Sequence, residues 1–175
     1  MKKLKFKNNI NLVELKNLKK NIIDKKSINL INVEYKQKKV FEKISSKSNS
    51  FIKNSFNIAL DILKEGISNK FINGPISKKS FLNKNYLGIT EYLTKKTNSK
   101  KTAMLIYNKN LSVCPLTTHL PLKMVAKKIT KEAIYEKVTL INNFYKRNKR
   151  LKPKIAILGL NPHCESVHKF NEDEK

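Results

Sequence analysis

The 175 residues predict a layered α/β protein. Two segments carry apolar residues at helical spacing, and several short apolar runs between and after them read as strands. Taken in order, strand, helix, strand, helix, strand, they are the alternation that packs helices on a sheet. The length fits one domain or slightly more and suffices to bury a core.

Each element has its own signal. "INLINVEY" (28–35) is the best strand candidate in the polar, Lys-rich first fifty residues. "KISSKSNS" (43–50) reads as a loop leading into a helix. In "FIKNSFNIALDILKE" (51–65), Ile52, Phe56, Ala59, Leu60 and Leu63 share one helical face, and Gly66 is a natural stop. Phe71 and Ile72 are expected to end a short strand, Gly74-Pro75 to turn the chain, and Ser77 to cap the next helix. "TEYLTKKT" (90–97) reads as a short helix. "TAMLIYN" (102–108) and "LSVCPLTTH" (111–119) read as two strands of a hairpin. Pro121 suits the first turn of a helix. Thr130 caps another, with Ile134, Val138, Ile141 and Tyr145 on one face and Lys146, Arg147, Lys149 and Arg150 near its cation-favouring end. After Pro153, "KIAILGLN" (154–161) has the continuous apolar character of a buried strand.

Composition narrows the function classes. Lys and Arg number 38 against 13 acids, a formal net charge of +25. Such an excess raises nucleic acid as a partner. The positives are nearly all Lys, however, and lie along the whole chain without a zinc-finger spacing or an aromatic RNA-binding motif. They read as Lys filling exposed positions, and a basic, noncatalytic nucleic-acid-binding protein is kept as the reading from another class. No apolar run is long enough to span a bilayer. The basic start lacks the continuous apolar core of a secretory signal. Cys114 and Cys164 have neither metal-type nor disulfide-framework spacing, so a reducing cytoplasm is the expected setting.

In open α/β sheets, ligands gather at the carboxyl ends of strands. Three polar clusters fall at such predicted places. Asn73-Gly74-Pro75 is followed by Ser77 and Lys78, where a helix start and an ammonium would suit an anion. Thr117-Thr118-His119 precedes the Pro121 helix, and Asn161-Pro162-His163 ends the last apolar run. Two imidazoles above one sheet edge form a divalent-metal pair. Two loop histidines bonded to backbone is the other reading of the same pattern. His168 reads as a solvent-facing loop residue, and Cys164 beside His163 lacks the third group that would orient a Cys–His nucleophile.

At these clusters "NGPISKKSF", "GITEYL", "TTHLPLKMVAKKIT" and "LGLNPH", in this order, resemble the 4-hydroxythreonine-4-phosphate dehydrogenase family of pyridoxal phosphate biosynthesis. The likeness runs from Phe51 to just past His163, and "TTHLPL" with "GLNPH" is its most specific pair. It implies a three-layer α/β/α fold like that of isocitrate and isopropylmalate dehydrogenases, with two domains around a cleft and a homodimer. It implies NAD or NADP, and a divalent metal (zinc, magnesium or cobalt) held by three histidines. His119 and His163 match two of those ligands. The third belongs to a "YHDQG"-type motif, contributed by the partner subunit, that this sequence does not contain. The family's "GHTE" substrate motif stands here as Gly88-Ile89-Thr90-Glu91. Thr90 is retained, while Ile89 replaces a histidine and has no hydrogen-bond donor on its side chain.

The implied reaction is NAD(P)- and metal-dependent oxidation of 4-phosphohydroxy-L-threonine, whose β-keto acid product then loses CO2. A sibling reading, favoured by Ile89, keeps the reaction and changes the substrate to another phosphorylated hydroxy acid. The family's "GDPAGIGPE" opening is also missing. The sequence is therefore expected to be a fragment and inactive alone, with 1–50 a partial N-terminal region of the first α/β domain and 51–175 a central region carrying two metal histidines. Its expected partners are a small phosphorylated amino acid and a second copy, with neither membrane nor nucleic acid among them. No catalytic acid or base is assigned.

Overall fold

The computed structural model describes residues 9–20, 23–37, 39, 42–83 and 85–160. The chain divides into two compact units, Met1–Gly88 and Ile89–Lys175.

The first unit opens with two short parallel strands, β1 (Ile10–Leu12) and β2 (Ile28–Leu30), paired Ile10 to Ile28 and Leu12 to Leu30. The expected strand at 28–35 thus keeps only its first three residues. A parallel pair needs a crossover, and a 3-10 turn at Leu15–Lys20 lies within it. Side chains fasten the pair as well as backbone. Asn11 Nδ2 donates to Asn29 Oδ1 at 2.9 Å, and Asn29 Nδ2 donates to the Asp24 carbonyl at 2.8 Å. Asp24 closes the turn before β2 by accepting from the Lys26 N–H at 2.8 Å and from the Ser27 hydroxyl. Those two donors hold its carboxyl below the usual aspartate value, Ser27 contributing most. Val13 and Leu18 are buried beside this ribbon.

Helix α1 (Asn49–Lys64) agrees with the apolar periodicity. Its inward residue Phe56 is 5% exposed. Phe56 stacks on Phe81 at 5.7 Å between ring centroids and meets Phe71 edge-on at 5.6 Å. Gly66 ends the helix as expected. Its φ is 72°, the Gly66 N–H reaches the Leu63 carbonyl at 3.1 Å and the Ile67 N–H reaches Ile62 at 3.2 Å. Those two bonds are a Schellman cap, which satisfies carbonyls the helix would otherwise leave open. Ser77 caps α2 (Lys78–Phe81) by accepting from the Ser80 N–H at 3.3 Å. Asn49 Nδ2 donates to the Ser80 carbonyl at 2.8 Å and ties the two helices. The strand expected to end at Ile72 is absent among the described residues: Ile72 is 93% exposed, and only Phe71 joins the aromatic cluster.

The second unit holds α3 (Ile89–Lys96), α4 (Leu122–Val125) and α5 (Lys131–Lys149). Thr130 caps α5 through the Ala133 N–H at 3.2 Å. Arg150 turns the chain out of α5 with a left-handed φ of 53°. The hairpin expected from 102–119 is reduced to one antiparallel bridge. Ile106 and Val113 exchange N–H bonds of 2.8 and 3.0 Å around a turn built by Asn108 and Ser112. Tyr145 of α5 donates to Ser112 Oγ at 2.9 Å and locks that turn against the helix. The buried strand expected at 154–161 is not found among the described residues. Leu158 is 88% exposed and no neighbouring strand pairs with the segment. An apolar run becomes a buried strand only where sheet and helices cover both faces.

Candidate functional site

Within the second unit, a cavity of about 360 Å³ lies between α3, the segment from Thr102 to Met104, the Pro115–Thr118 loop and α5. That volume suits a small ligand. Its polar lining includes Thr90, Glu91 and Thr94 of α3, Thr118 of the loop and Lys137 of α5. The helix sets this pattern. Residues 90, 91 and 94 fall on one side at a 3.6-residue period, while Tyr92 turns inward and is buried. Thr94 Oγ1 donates to the Thr90 carbonyl at 2.7 Å, which fixes its rotamer within the first turns of α3. Lys137 Nζ donates to the Thr102 carbonyl, so its ammonium stands in the wall of the cavity. Glu91 Oε2 is buried and has no hydrogen-bond partner.

The sequence-predicted residues are distributed unevenly around this cavity. Thr90 lines it, and Ile89, half-buried at the start of α3, does not. His119 follows directly on the lining residue Thr118. It is exposed and takes a left-handed φ of 57°, a conformation that histidine enters more readily than most side chains. Pro121 then opens α4. Lys78 is exposed at the start of α2 in the first unit, where Ser77 already accepts the Ser80 N–H. His163, Cys164 and His168 lie outside the described residues. Thr118 belongs to the Thr117-Thr118-His119 cluster legible in the sequence, Glu91 stands inside the motif "GITEYL" with no role assigned to it there, and Lys137 has no signal in the sequence at all.

The donor set bears on cofactors. His119 is an accessible imidazole and has the chemistry of one metal ligand. No group of three His, Cys, Asp or Glu gathers among the described residues. For a dinucleotide, Gly66 and Gly74 are the places to look for a backbone cradle, and a Cβ at either would meet nothing within 4 Å. Neither is a close-approach glycine. Cys114 is a part-buried free thiol whose setting disfavours the thiolate. Burial pushes its thiol up, against the opposing charge of Lys137, and Sγ only contacts the Pro115 carbonyl at 3.8 Å.

Fold and site together define an α/β protein whose second unit holds a cavity of small-ligand size. The same fold is found in the 1.25 Å structure of a 4-hydroxythreonine-4-phosphate dehydrogenase from Klebsiella pneumoniae, with a TM-score of 0.74 and 21% identity over 91% of this chain and 50% of that one. The chain belongs to the family described as pyridoxal phosphate biosynthetic protein PdxA, whose model matches residues 1–175. It is 41% identical over 122 residues to a 4-hydroxythreonine-4-phosphate dehydrogenase of Sulfurihydrogenibium sp. (strain YO3AOP1), covering 68% of this chain and 38% of the relative. A protein of the same name from Aquifex aeolicus (strain VF5) is 40% identical over 89 residues, 51% of this chain and 28% of its own length. The chain thus spans well under half the length of these relatives.

Proposed function

We propose that this chain carries part of a 4-hydroxythreonine-4-phosphate dehydrogenase. The whole enzyme oxidises 4-phosphohydroxy-L-threonine to 2-amino-3-oxo-4-phosphooxybutanoate, which decarboxylates to 3-amino-2-oxopropyl phosphate in pyridoxal phosphate biosynthesis. The observation that carries the reading is the family match over residues 1–175. The lining of the cavity by Thr90, beside the loop that ends at His119, agrees with it.

The residues take these roles. Thr90 offers its hydroxyl to the substrate. Ile89, without a donor, shapes the approach to it. His119 and His163 are two ligands of a divalent metal ion (zinc, magnesium or cobalt), whose Lewis acidity would act on the substrate hydroxyl. Lys78 is an anion contact on the first unit. NAD or NADP is the hydride acceptor of the whole enzyme, and these 175 residues by themselves do not reduce it. A cytoplasmic homodimer completes the reading. No helix among the described residues is long and apolar enough to cross a membrane.

Isothermal titration of the purified chain with 4-phosphohydroxy-L-threonine tests the proposal. Binding is expected, and Thr90→Val should weaken it about tenfold, the scale of one buried hydrogen bond to a charged ligand. Absence of binding at millimolar ligand refutes it. NAD reduction by the isolated chain would refute the statement that it is inactive alone. Zinc affinity that survives His119→Asn unchanged would remove His119 from the ligand set. A second reading, oxidation of another phosphorylated hydroxy acid, is favoured by Ile89; where that acid lacks the amine, the experiment below separates it from the first.

A further inference from the structure

Glu91 Oε2 is a buried carboxylate oxygen without a hydrogen-bond partner, in the wall of the cavity that Thr90 also lines. Such an atom is costly. A buried acceptor left unmatched loses the full value of its hydration, and more so when it is charged. Native proteins keep few of these, and a binding site is one place where the missing partner arrives with the ligand.

The remaining wall says what kind of partner fits. Lys95 and Lys137 also line the cavity, with Thr90, Thr94, Ser99 and Thr118 supplying hydroxyls. Two ammonium groups and one carboxylate around a small volume complement a ligand with two anionic groups and one cation. A phosphorylated α-amino acid has that charge pattern. A phosphorylated hydroxy acid has the two anions and no cation for Glu91.

We propose that Glu91 is a specificity-determining residue that receives the ammonium group of a phosphorylated amino-acid substrate, so that this cavity selects amino acids over the corresponding hydroxy acids. The inference rests on the function proposed above and decides between its two substrate readings. Glu91 sets which ligand is held and takes no part in the chemical step. Its place in the first turn of α3 sets the carboxylate at the favourable end of the helix dipole, and a carboxylate pairs more strongly with an ammonium than with a neutral hydroxyl donor.

The test is a pair of titrations on the full 175-residue chain. The ligands are 4-phosphohydroxy-L-threonine and the analogue in which a hydroxyl replaces the amine. The natural chain is expected to bind the amine at least about tenfold more tightly, the scale of a charge-assisted hydrogen bond. Glu91→Gln, which keeps the shape of the side chain, should bring the two ligands to within about twofold by weakening the amine alone. Glu91→Asp retains the charge and should restore part of the preference. Equal weakening of both ligands, or a natural chain that does not discriminate, overturns the proposal. A role for Glu91 as the structural partner of a cavity lysine would lower the melting temperature of Glu91→Gln and leave the preference unchanged, which also overturns it. If the natural chain binds neither ligand, the proposed function has failed first. If it binds both without preference, only the role of Glu91 has failed.

Discussion

Gly66 tests the backbone reasoning most cleanly, because the structure isolates a single cause. Its φ is 72°, and a Cβ built on it meets no atom within 4 Å. A side chain there would clash with nothing beyond its own backbone. What remains is the intrinsic cost of the left-handed conformation, about 1–2 kcal/mol for an L-residue. Alanine also restricts the unfolded chain, which returns about 0.4–1 kcal/mol. Gly66→Ala should therefore destabilise the unit by about 1 kcal/mol. Asparagine tolerates this region better than alanine, so Gly66→Asn should lose less. Urea unfolding followed by circular dichroism at the helical band reads the difference. With a slope of about 2 kcal/mol per molar urea, the alanine midpoint falls by about 0.5 M. An alanine variant as stable as the natural chain would refute the argument, because the Schellman bonds from Gly66 and Ile67 would then not need a left-handed residue. So would an asparagine variant less stable than alanine.

Three further outcomes follow from the same structure. Phe56→Ala removes the centre of the Phe56, Phe71 and Phe81 cluster and should cost about 3–5 kcal/mol, enough for the first unit to lose cooperative unfolding in a denaturant titration. In a Cys164→Ser background, Cys114 should react with a disulfide reagent more slowly than a free thiol at pH 8. Burial raises its pKa above the ordinary 9.0, so the thiolate, which is the reacting form, becomes abundant only above that pH. Asp24 has a folded pKa below its unfolded value of 3.8. Its contribution is complete above that pH and is lost as acid carries the pH down through the folded value. Amide exchange at Lys26, whose N–H bonds Asp24 Oδ1, should stay protected at pH 5 and rise below 3.8, while Asp24→Asn should remove that dependence.

The elements legible in the sequence are those whose causes are local. Ile52, Phe56, Ala59, Leu60 and Leu63 announced α1 because a helix bonds within itself, and its burial pattern follows from spacing alone. Ser77 and Thr130 were readable as caps because each serves an N–H three residues ahead. Gly66 was readable as a stop for the reason just given. The runs at 102–108, 111–119 and 154–161 have the apolar content of strands, and the first two meet at the single Ile106–Val113 bridge. Strand pairing is not local. A run with the right residues stays exposed and unpaired when no neighbour offers its edge, as Leu158 shows.

Sequence by itself determined the helices, their caps, the α/β class and the motifs that point to the family, since each depends on side chains a few positions apart or on a quoted string of residues. Tertiary structure decided that the N-terminal strands pair in parallel over three residues only, and that Phe71 packs on Phe56 while Ile72 faces solvent. It also decided the membership of the cavity. Thr90, Thr118 and Lys137 are remote in sequence and come together because α3, the Pro115–Thr118 loop and α5 close around one volume. Glu91 stood in plain view as part of "GITEYL", but its significance is a matter of solvation. Only the fold determines that one of its oxygens has lost water without gaining a partner.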